Sequence, residues 1–114
     1  MPSSTPDKPE SGARPTDAAA AEREEELCEV FRLLADRGRM RIVLRLRANG
    51  ELAVAELARA TGLSESGCSQ QLRLLRTARL VRRRRDGRRA YYSLFDDHVI
   101  ELVDLVRRHL EEEA

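Results

Sequence analysis

At 114 residues the chain is sized for one domain, and a domain this small buries limited apolar surface, so a dimer interface is a natural supplement. Its formal net charge of +1 conceals segregation: twenty of the twenty-one basic residues are Arg, and nine of these lie between Arg73 and Arg89 with Asp86 alone opposing them. With no run of eighteen apolar residues, no basic-then-apolar leader and no Cys-x-x-Cys spacing for Cys28 and Cys68, membrane, secreted, disulfide-framework and cysteine zinc-knuckle classes are disfavoured; a soluble cytoplasmic protein is expected.

Residues 1–17 are rich in Pro, Ser, Thr, Asp and Gly without apolar period, which predicts a disordered tail ahead of a domain spanning 18–114. Asp17 is placed to cap a helix running to about Leu34, with acids from Glu22 to Glu26 toward its positive end and Leu27, Val30, Phe31 and Leu34 as its apolar stripe. Cys28, one position off that stripe, reads as a small half-buried thiol. Asp36-Arg37-Gly38 breaks the pattern. The apolar run from Arg39 to Ala48 fits strand or helix, and Asn49-Gly50 as a C-terminal stop favours helix. Val54, Leu57, Ala58 and Thr61 then recur at helical spacing until Gly62-Leu63, and Ser64 can cap a further helix with Glu65 in its first turn.

A short helix, a turn with Gly62 and a capped helix with Leu63, Cys68, Leu72 and Leu75 inward form a helix-turn-helix pattern. Ser64, Ser66, Ser69, Gln70 and Arg73 fall on its polar side and carry groups that bond base edges and phosphates; an ordinary solvated helix face is the plainer reading of the same residues. Gly67 inside this helix costs up to about 1 kcal/mol against Ala, which close approach to DNA or to the neighbouring helix would explain. Leu80 to Arg85, Asp86-Gly87 and Arg88 to Leu94 read as a hairpin with Asp-Gly at its turn. Arg84, Arg85, Arg88 and Arg89 near its tip are candidate phosphate contacts, completing a mainly α winged helix with a small β-hairpin.

The terminal helix, from Asp96 to Glu112, holds both histidines. His98 and His109, eleven positions apart, are separated by roughly 16 Å along a helix, so one helix cannot bring both to one ion. Two antiparallel copies across a two-fold axis can, meeting Asp96 and His98 of one with His109 and Glu112 of the other, which gives two identical sites per dimer. Leu102, Leu105 and Val106 form the apolar patch that would join the two helices, with help from Leu27 and Phe31 of the first helix. Asp96 and His98 point apart inside a regular helix, so Asp96 is expected at or before the cap. The plainer reading of each histidine alone is a partly exposed helix residue, and of Glu111 to Glu113 a solvated helix end.

From about Leu27 to Glu112 the chain resembles the ArsR/SmtB family of bacterial metal-responsive repressors. The resemblance rests on Phe31-x-x-Leu34-Ala35-Asp36 with Arg39-Met40-Arg41, Glu51 to Leu57, Ser64 to Arg73, and Gly87-Arg88 with Tyr91-Tyr92-Ser93-Leu94. The zinc-sensing branch carries Asp-x-His, ten residues, then His-x-x-Glu or His-x-x-His, which falls on Asp96, His98, His109 and Glu112. Two imidazoles and two carboxylates suit tetrahedral Zn(II), with Co(II) as a stand-in. The resemblance implies a homodimer, with N- and C-terminal helices at its interface, that holds palindromic operator DNA when metal-free. It further implies that zinc releases the DNA and derepresses metal export or sequestration genes. Ala53 and Ala55 stand where the arsenic and cadmium branches place cysteines. Arg37-Gly38 replaces the family's Pro after Asp, an expected loosening of that connection, and Cys68 replaces an aliphatic residue. The rival readings are a repressor sensing oxidants or soft metals through Cys28 and Cys68, and a regulator without inducer. An enzyme is not expected, because four protein ligands close the coordination shell and no nucleophile motif accompanies them.

Overall fold

The structure is a computed structural model that describes residues 16–112. The chain divides into two units, residues 1–31 and 32–114, the division falling within the first helix. That helix, α1 (Asp17–Ala35), opens on Thr16, whose Oγ1 accepts the Ala19 N–H at 3.0 Å while its carbonyl accepts the Ala20 N–H at 2.9 Å. Thr16 is therefore the cap, and Asp17 sits in the first turn, where its charge still complements the helix dipole. Of the expected tail, residues 1–15 lie outside the described residues. Up to Glu29 no α1 side chain is withdrawn from solvent, so Cys28 is exposed rather than half-buried. Leu27 and Phe31 are likewise exposed, at 53% and 56%.

In the second unit, a single residue separates α1 from α2 (Arg37–Asn49). Asp36 is extended and its Oδ2 accepts the Arg39 N–H at 3.0 Å, so the connection is a tight cap and Gly38 lies within the helix, not in a loosened loop. Ile42, Val43 and Leu46 are the buried face of α2, and Gly50, at φ +84°, ends it by returning its N–H to the Leu46 carbonyl. Next comes a strand the periodicity did not show, β1 (Leu52–Ala53), then α3 (Val54–Thr61), α4 (Glu65–Thr77), β2 (Val81–Asp86), β3 (Arg89–Leu94) and α5 (Asp97–Glu112). The three strands form an antiparallel sheet in the order β1-β3-β2.

The core lies where α2, α3, α4 and the base of the sheet meet: Leu33, Ile42, Leu46, Leu57, Cys68, Leu72, Leu75 and Val81 are at most 2% exposed. The one buried polar side chain among the described residues, Thr61, donates its hydroxyl to the Leu57 carbonyl at 2.6 Å and so enters the core satisfied. Tyr92, Leu94 and Val81 share the inner face of the hairpin.

The hairpin turn falls on Gly87-Arg88, one residue beyond the expected Asp86-Gly87, because Asp86 pairs with Arg89. Gly87, at φ +64°, takes the first central position of a II′ turn. Charge decides the register. A turn at Asp86-Gly87 would set Arg84 opposite Arg89 and Arg85 opposite Arg88, whereas the observed pairing sets Arg84 against Tyr91, Arg85 against Ala90 and Arg89 against Asp86.

Helix α5 buries only Val99 and Val103. It is also held by a bidentate ion pair, Arg47 Nε and Nη2 donating to Asp104 Oδ1 and Oδ2 at 2.9 and 2.8 Å. The hydrogen bond and charge of Arg47 hold the Asp104 carboxyl below the usual range. A depressed folded-state pKa stabilises the fold above the unfolded pKa and ceases to do so as pH falls through the folded value. Asp104→Asn should therefore lower the melting temperature at neutral pH, with the gap from wild type closing in acid below the ordinary carboxylate range. Thermal melts across that range, followed by circular dichroism, check this; a gap independent of pH would remove the pair as a pH-dependent anchor of α5.

Candidate nucleic-acid interface and metal centre

Helix α4 is the second helix of the helix-turn-helix. Gly62, left-handed at φ +81°, and Leu63 both return their N–H groups to the Ala58 carbonyl and end α3. Ser64 Oγ then accepts the Gly67 N–H at 3.0 Å and starts α4. Cys68, Leu72 and Leu75 face inward, leaving Ser66, Ser69, Gln70 and Arg73 exposed on the outer side together with Ser64. Sequence reasoning missed the brace behind this helix. Arg39 donates from Nε to the Leu33 carbonyl at 2.8 Å and from Nη1 to Gln71 Oε1 at 2.7 Å, tying α4 to the end of α1. Its two arms reach six and thirty-two residues along the chain, so no local pattern announces it.

Gly67 has a local reason to lack a side chain. A Cβ there would stand 2.9 Å from Ser64 Oγ, so the cap hydroxyl is the close neighbour that the glycine accommodates.

The hairpin arginines are placed unequally. Arg84 is bound bidentately by Glu51, its Nε and Nη2 donating to Oε2 and Oε1 at 3.0 and 2.9 Å, and its guanidinium stands 4.9 Å from the Tyr91 ring centre. Arg89 approaches the same ring at 5.6 Å and Arg82 the ring of Phe95 at 5.2 Å. Arg85 and Arg88, at the tip, are exposed and have no ion-pair partner among the described residues.

At the start of α5, Asp96 is outside the helix as expected. Its Oδ1 accepts the N–H groups of His98 and Val99 at 3.0 and 3.3 Å, and its Oδ2 lies 3.3 Å from His98 Nδ1. The cap thus turns the carboxylate back onto the imidazole that a regular helix would hold away from it. Burial raises the Asp96 pKa, but the hydrogen bonds from Val99 and His98 and the charge of His98 outweigh this together and leave the carboxyl below its usual value. The His98 ring is 90% exposed, so it is open to a ligand from outside the chain. His109 and Glu112 are exposed three positions apart in the last turns of α5. Among the described residues no three His, Cys, Asp or Glu side chains of one chain converge, and Asp96 with His98 and His109 with Glu112 stand apart at the two ends of α5.

The 3.3 Å between one carboxylate oxygen and one imidazole nitrogen, here that of an ion pair, is also a spacing that a tetrahedral ion accepts. Ligand atoms about 2.0 Å from a tetrahedral ion are about 3.3 Å apart, the separation of Asp96 Oδ2 and His98 Nδ1. The patch expected between the two ends is partly exposed: Leu105 at 57% and Val106 at 47%, with Leu102 half-buried and Leu110, which the sequence reading omitted, at 64%. Cys68 is fully buried, and burial pushes its thiol pKa up, the opposite of what a reactive cysteine requires.

Fold and surface together define a winged helix-turn-helix DNA-binding domain. A family profile described as a helix-turn-helix domain matches residues 34–84. The chain is 49% identical over 88 residues to a transcriptional repressor SmtB homolog of Synechocystis sp., covering 77% of this chain and 66%, just under two thirds, of that protein. It is 41% identical over 97 residues to the regulator NmtR of Mycobacterium tuberculosis, covering 85% of this chain and 78% of that one. A homodimeric winged helix-turn-helix DNA-binding domain from Mycobacterium bovis, from a possible ArsR-family regulator, superposes with a TM-score of 0.80 at 32% identity over 89% of this chain and 92% of that one. The chain belongs to the ArsR/SmtB family of winged-helix transcriptional regulators, DNA-binding proteins and not enzymes. No helix among the described residues is long and apolar enough to cross a membrane.

The Ser64–Gly67 contact makes a stability prediction. Gly67→Ala gains up to about 1 kcal/mol of helix propensity but must displace a cap hydroxyl worth about 1 kcal/mol, so it should change stability by less than about 0.5 kcal/mol. In a Ser64→Ala background the same change should stabilise by about 1 kcal/mol. Urea denaturation of the four chains closes this cycle, and equal effects in both backgrounds would refute the contact.

Proposed function

We propose that the protein is a cytoplasmic zinc-responsive transcriptional repressor that acts as a homodimer. Its metal-free form holds an imperfectly palindromic operator, and Zn(II) releases it, derepressing genes for metal export or sequestration. The observation that carries this reading is the pairing of Asp96 Oδ2 with His98 Nδ1 at 3.3 Å on one end of a helix whose other end exposes His109 and Glu112. Two such helices, antiparallel across a two-fold axis, bring Asp96 and His98 to the partner's His109 and the partner's Glu112. Leu102, Leu105 and Val106 of α5 are the apolar contacts that hold this pairing, and Leu27 and Phe31 of α1 are further dimer contacts. Asp96 and His98 with the partner's His109 and the partner's Glu112 would hold Zn(II), or Co(II) in its place, and the ion would supply a tie between the two helices.

On the DNA side, Ser64, Ser66, Ser69, Gln70 and Arg73 of α4 address the major groove, and Arg85, Arg88 and Arg89 of the wing address phosphate. The ligand pair and the reading helix are joined by a short main-chain route. The Leu80 N–H donates to the Leu75 carbonyl of α4 at 2.9 Å, and the Leu80 carbonyl accepts from the N–H of Phe95, the residue before Asp96, at 3.0 Å. A change of position at Asp96 thus has two hydrogen bonds to cross before it reaches α4. The exposure of Cys28 and the burial of Cys68 leave no shared thiol site, which weighs against the oxidant-sensing alternative.

Anisotropy of a labelled duplex that the metal-free chain selects from a random pool, at fixed salt, provides the test. Added zinc should weaken binding by wild type and leave His98→Ala and His109→Ala bound; release of all three alike removes the site, and tighter binding reverses the sign. Mixed dimers test the shared geometry. A chain lacking Asp96 and His98, paired with one lacking His109 and Glu112, should regain one zinc per dimer where each homodimer binds none, since only across that pair does a complete set re-form.

A further inference from the structure

Glu51, Tyr91 and Arg84 lie side by side on the outer face of the sheet. Ala53 pairs with Tyr91 and Tyr91 with Arg84, so Glu51, two residues before Ala53, approaches from the β1 edge while Arg84 approaches from β2 at the other. The Glu51 carboxylate and the Arg84 guanidinium meet bidentately across β3, with the Tyr91 ring 4.9 Å beneath the cation. Two N–H donors, one face and the charge of Arg84 are thereby engaged by the protein's own surface, with the two side chains 53% and 38% exposed. Of the six hairpin arginines it is the only one paired with a carboxylate among the described residues. The Arg84 hydrogen bond also holds the Glu51 carboxyl below its usual range, so the clasp is ionised at neutral pH.

We propose that Glu51 is a specificity-determining residue for DNA binding: it withholds Arg84 from phosphate, makes it a strut of the wing, and leaves the backbone contacts to Arg85, Arg88 and Arg89. Phosphate contact is the sequence-independent part of the affinity, so each arginine withheld lowers binding to every duplex and enlarges the share decided by α4. This rests on the DNA-binding reading above. Bidentate carboxylate capture suits the role because it matches the fork that would otherwise take a phosphate.

The salt dependence of binding counts phosphate contacts, each adding about 0.9 to the slope of log K against log salt. The slopes of the full-length wild type, Arg84→Gln, Glu51→Gln and the double variant are measured by anisotropy on a random-sequence duplex, and circular dichroism melts confirm that each is folded. Wild type and Arg84→Gln should share one slope; Glu51→Gln should be steeper by about 1.8 per dimer, one freed contact per chain, and bind random sequence more tightly. The double variant should return to the wild-type slope. A shallower slope for Arg84→Gln overturns the proposal, because Arg84 would already be on phosphate. So does a Glu51→Gln slope equal to wild type, or a gain that survives in the double variant, which would trace it to the lost carboxylate charge. If Glu51→Gln does not fold, Arg84→Gln alone decides. Failure of wild type to bind any duplex refutes instead the DNA-binding reading itself.

Discussion

The rest of the molecule depends on how thinly α5 is attached. Sixteen residues long, it buries two valines and is fastened by one ion pair to Arg47 of α2. Leu105, Val106 and Leu110 remain in water in a single chain. Apolar burial is worth roughly 25 cal/mol per Å², so a helix with this much uncovered apolar surface is only half-packed until something covers it. An antiparallel copy of α5 supplies that cover in the proposed dimer, and the same contact joins Asp96 and His98 to the opposite end of the partner's helix. Dimerisation and metal binding then share a surface.

The reading head is built in the opposite way. Helix α4 has Cys68, Leu72 and Leu75 fully buried, its start fixed by Ser64 and its flank held by Arg39 through Gln71. Its outer residues are therefore presented by a rigid support, which positions hydrogen-bonding groups more sharply than a loop would. The wing mixes both modes. Its base is locked by Val81, Tyr92 and Leu94 in the core and its middle by the Glu51 clasp on Arg84, while Arg85 and Arg88 at the tip are exposed without an ion-pair partner among the described residues. A dense arginine run is thus not one uniform patch: Arg84 is held by a carboxylate, Arg82 and Arg89 lie on rings, and the others carry no such contact among the described residues.

What the sequence disclosed follows from the range of each interaction. Stops and caps are local, so Gly50, Gly62, Ser64 and the cap position of Asp96 were readable from neighbouring residues. Helix α2 is ambiguous by pattern and is resolved by its stop signal and by the helical segment that follows it. Strand β1 was hidden because two residues carry no period and its partners lie some forty positions on, at Tyr91 and Tyr92. The turn was misplaced by one residue because Asp-Gly is a strong local signal, while the repulsion that overrides it acts between strands. The clasps of Arg39, Arg47 and Arg84 span thirty-two, fifty-seven and thirty-three residues, so composition showed the arginines but not their employment. The separation of His98 from His109 along α5 was legible because helix rise fixes it; the pairing of each with the partner's opposite end belongs to the proposed dimer.

The magnitude a switch needs suits this architecture. A hundredfold change in operator affinity corresponds to about 2.7 kcal/mol of coupling, and in the proposed switch linkage would require the operator to weaken zinc binding by the same factor. That is the scale of two or three hydrogen bonds of about 1 kcal/mol each, so no refolding is called for. The contacts between Asp96 and α4 are of that number and kind: the N–H of Phe95 on the Leu80 carbonyl, and the N–H of Leu80 on the Leu75 carbonyl. Helix α5 buries two side chains, α4 buries three, and the wing base lies between them. In the proposed dimer, a displacement imposed on two Asp96 ends at once is therefore best relieved by rotating each intact reading head about its α5 seam. Rotation of that kind changes the spacing of the two α4 helices while preserving each one's side-chain geometry. A palindromic operator, with half-sites about one turn apart, is sensitive to that spacing above all.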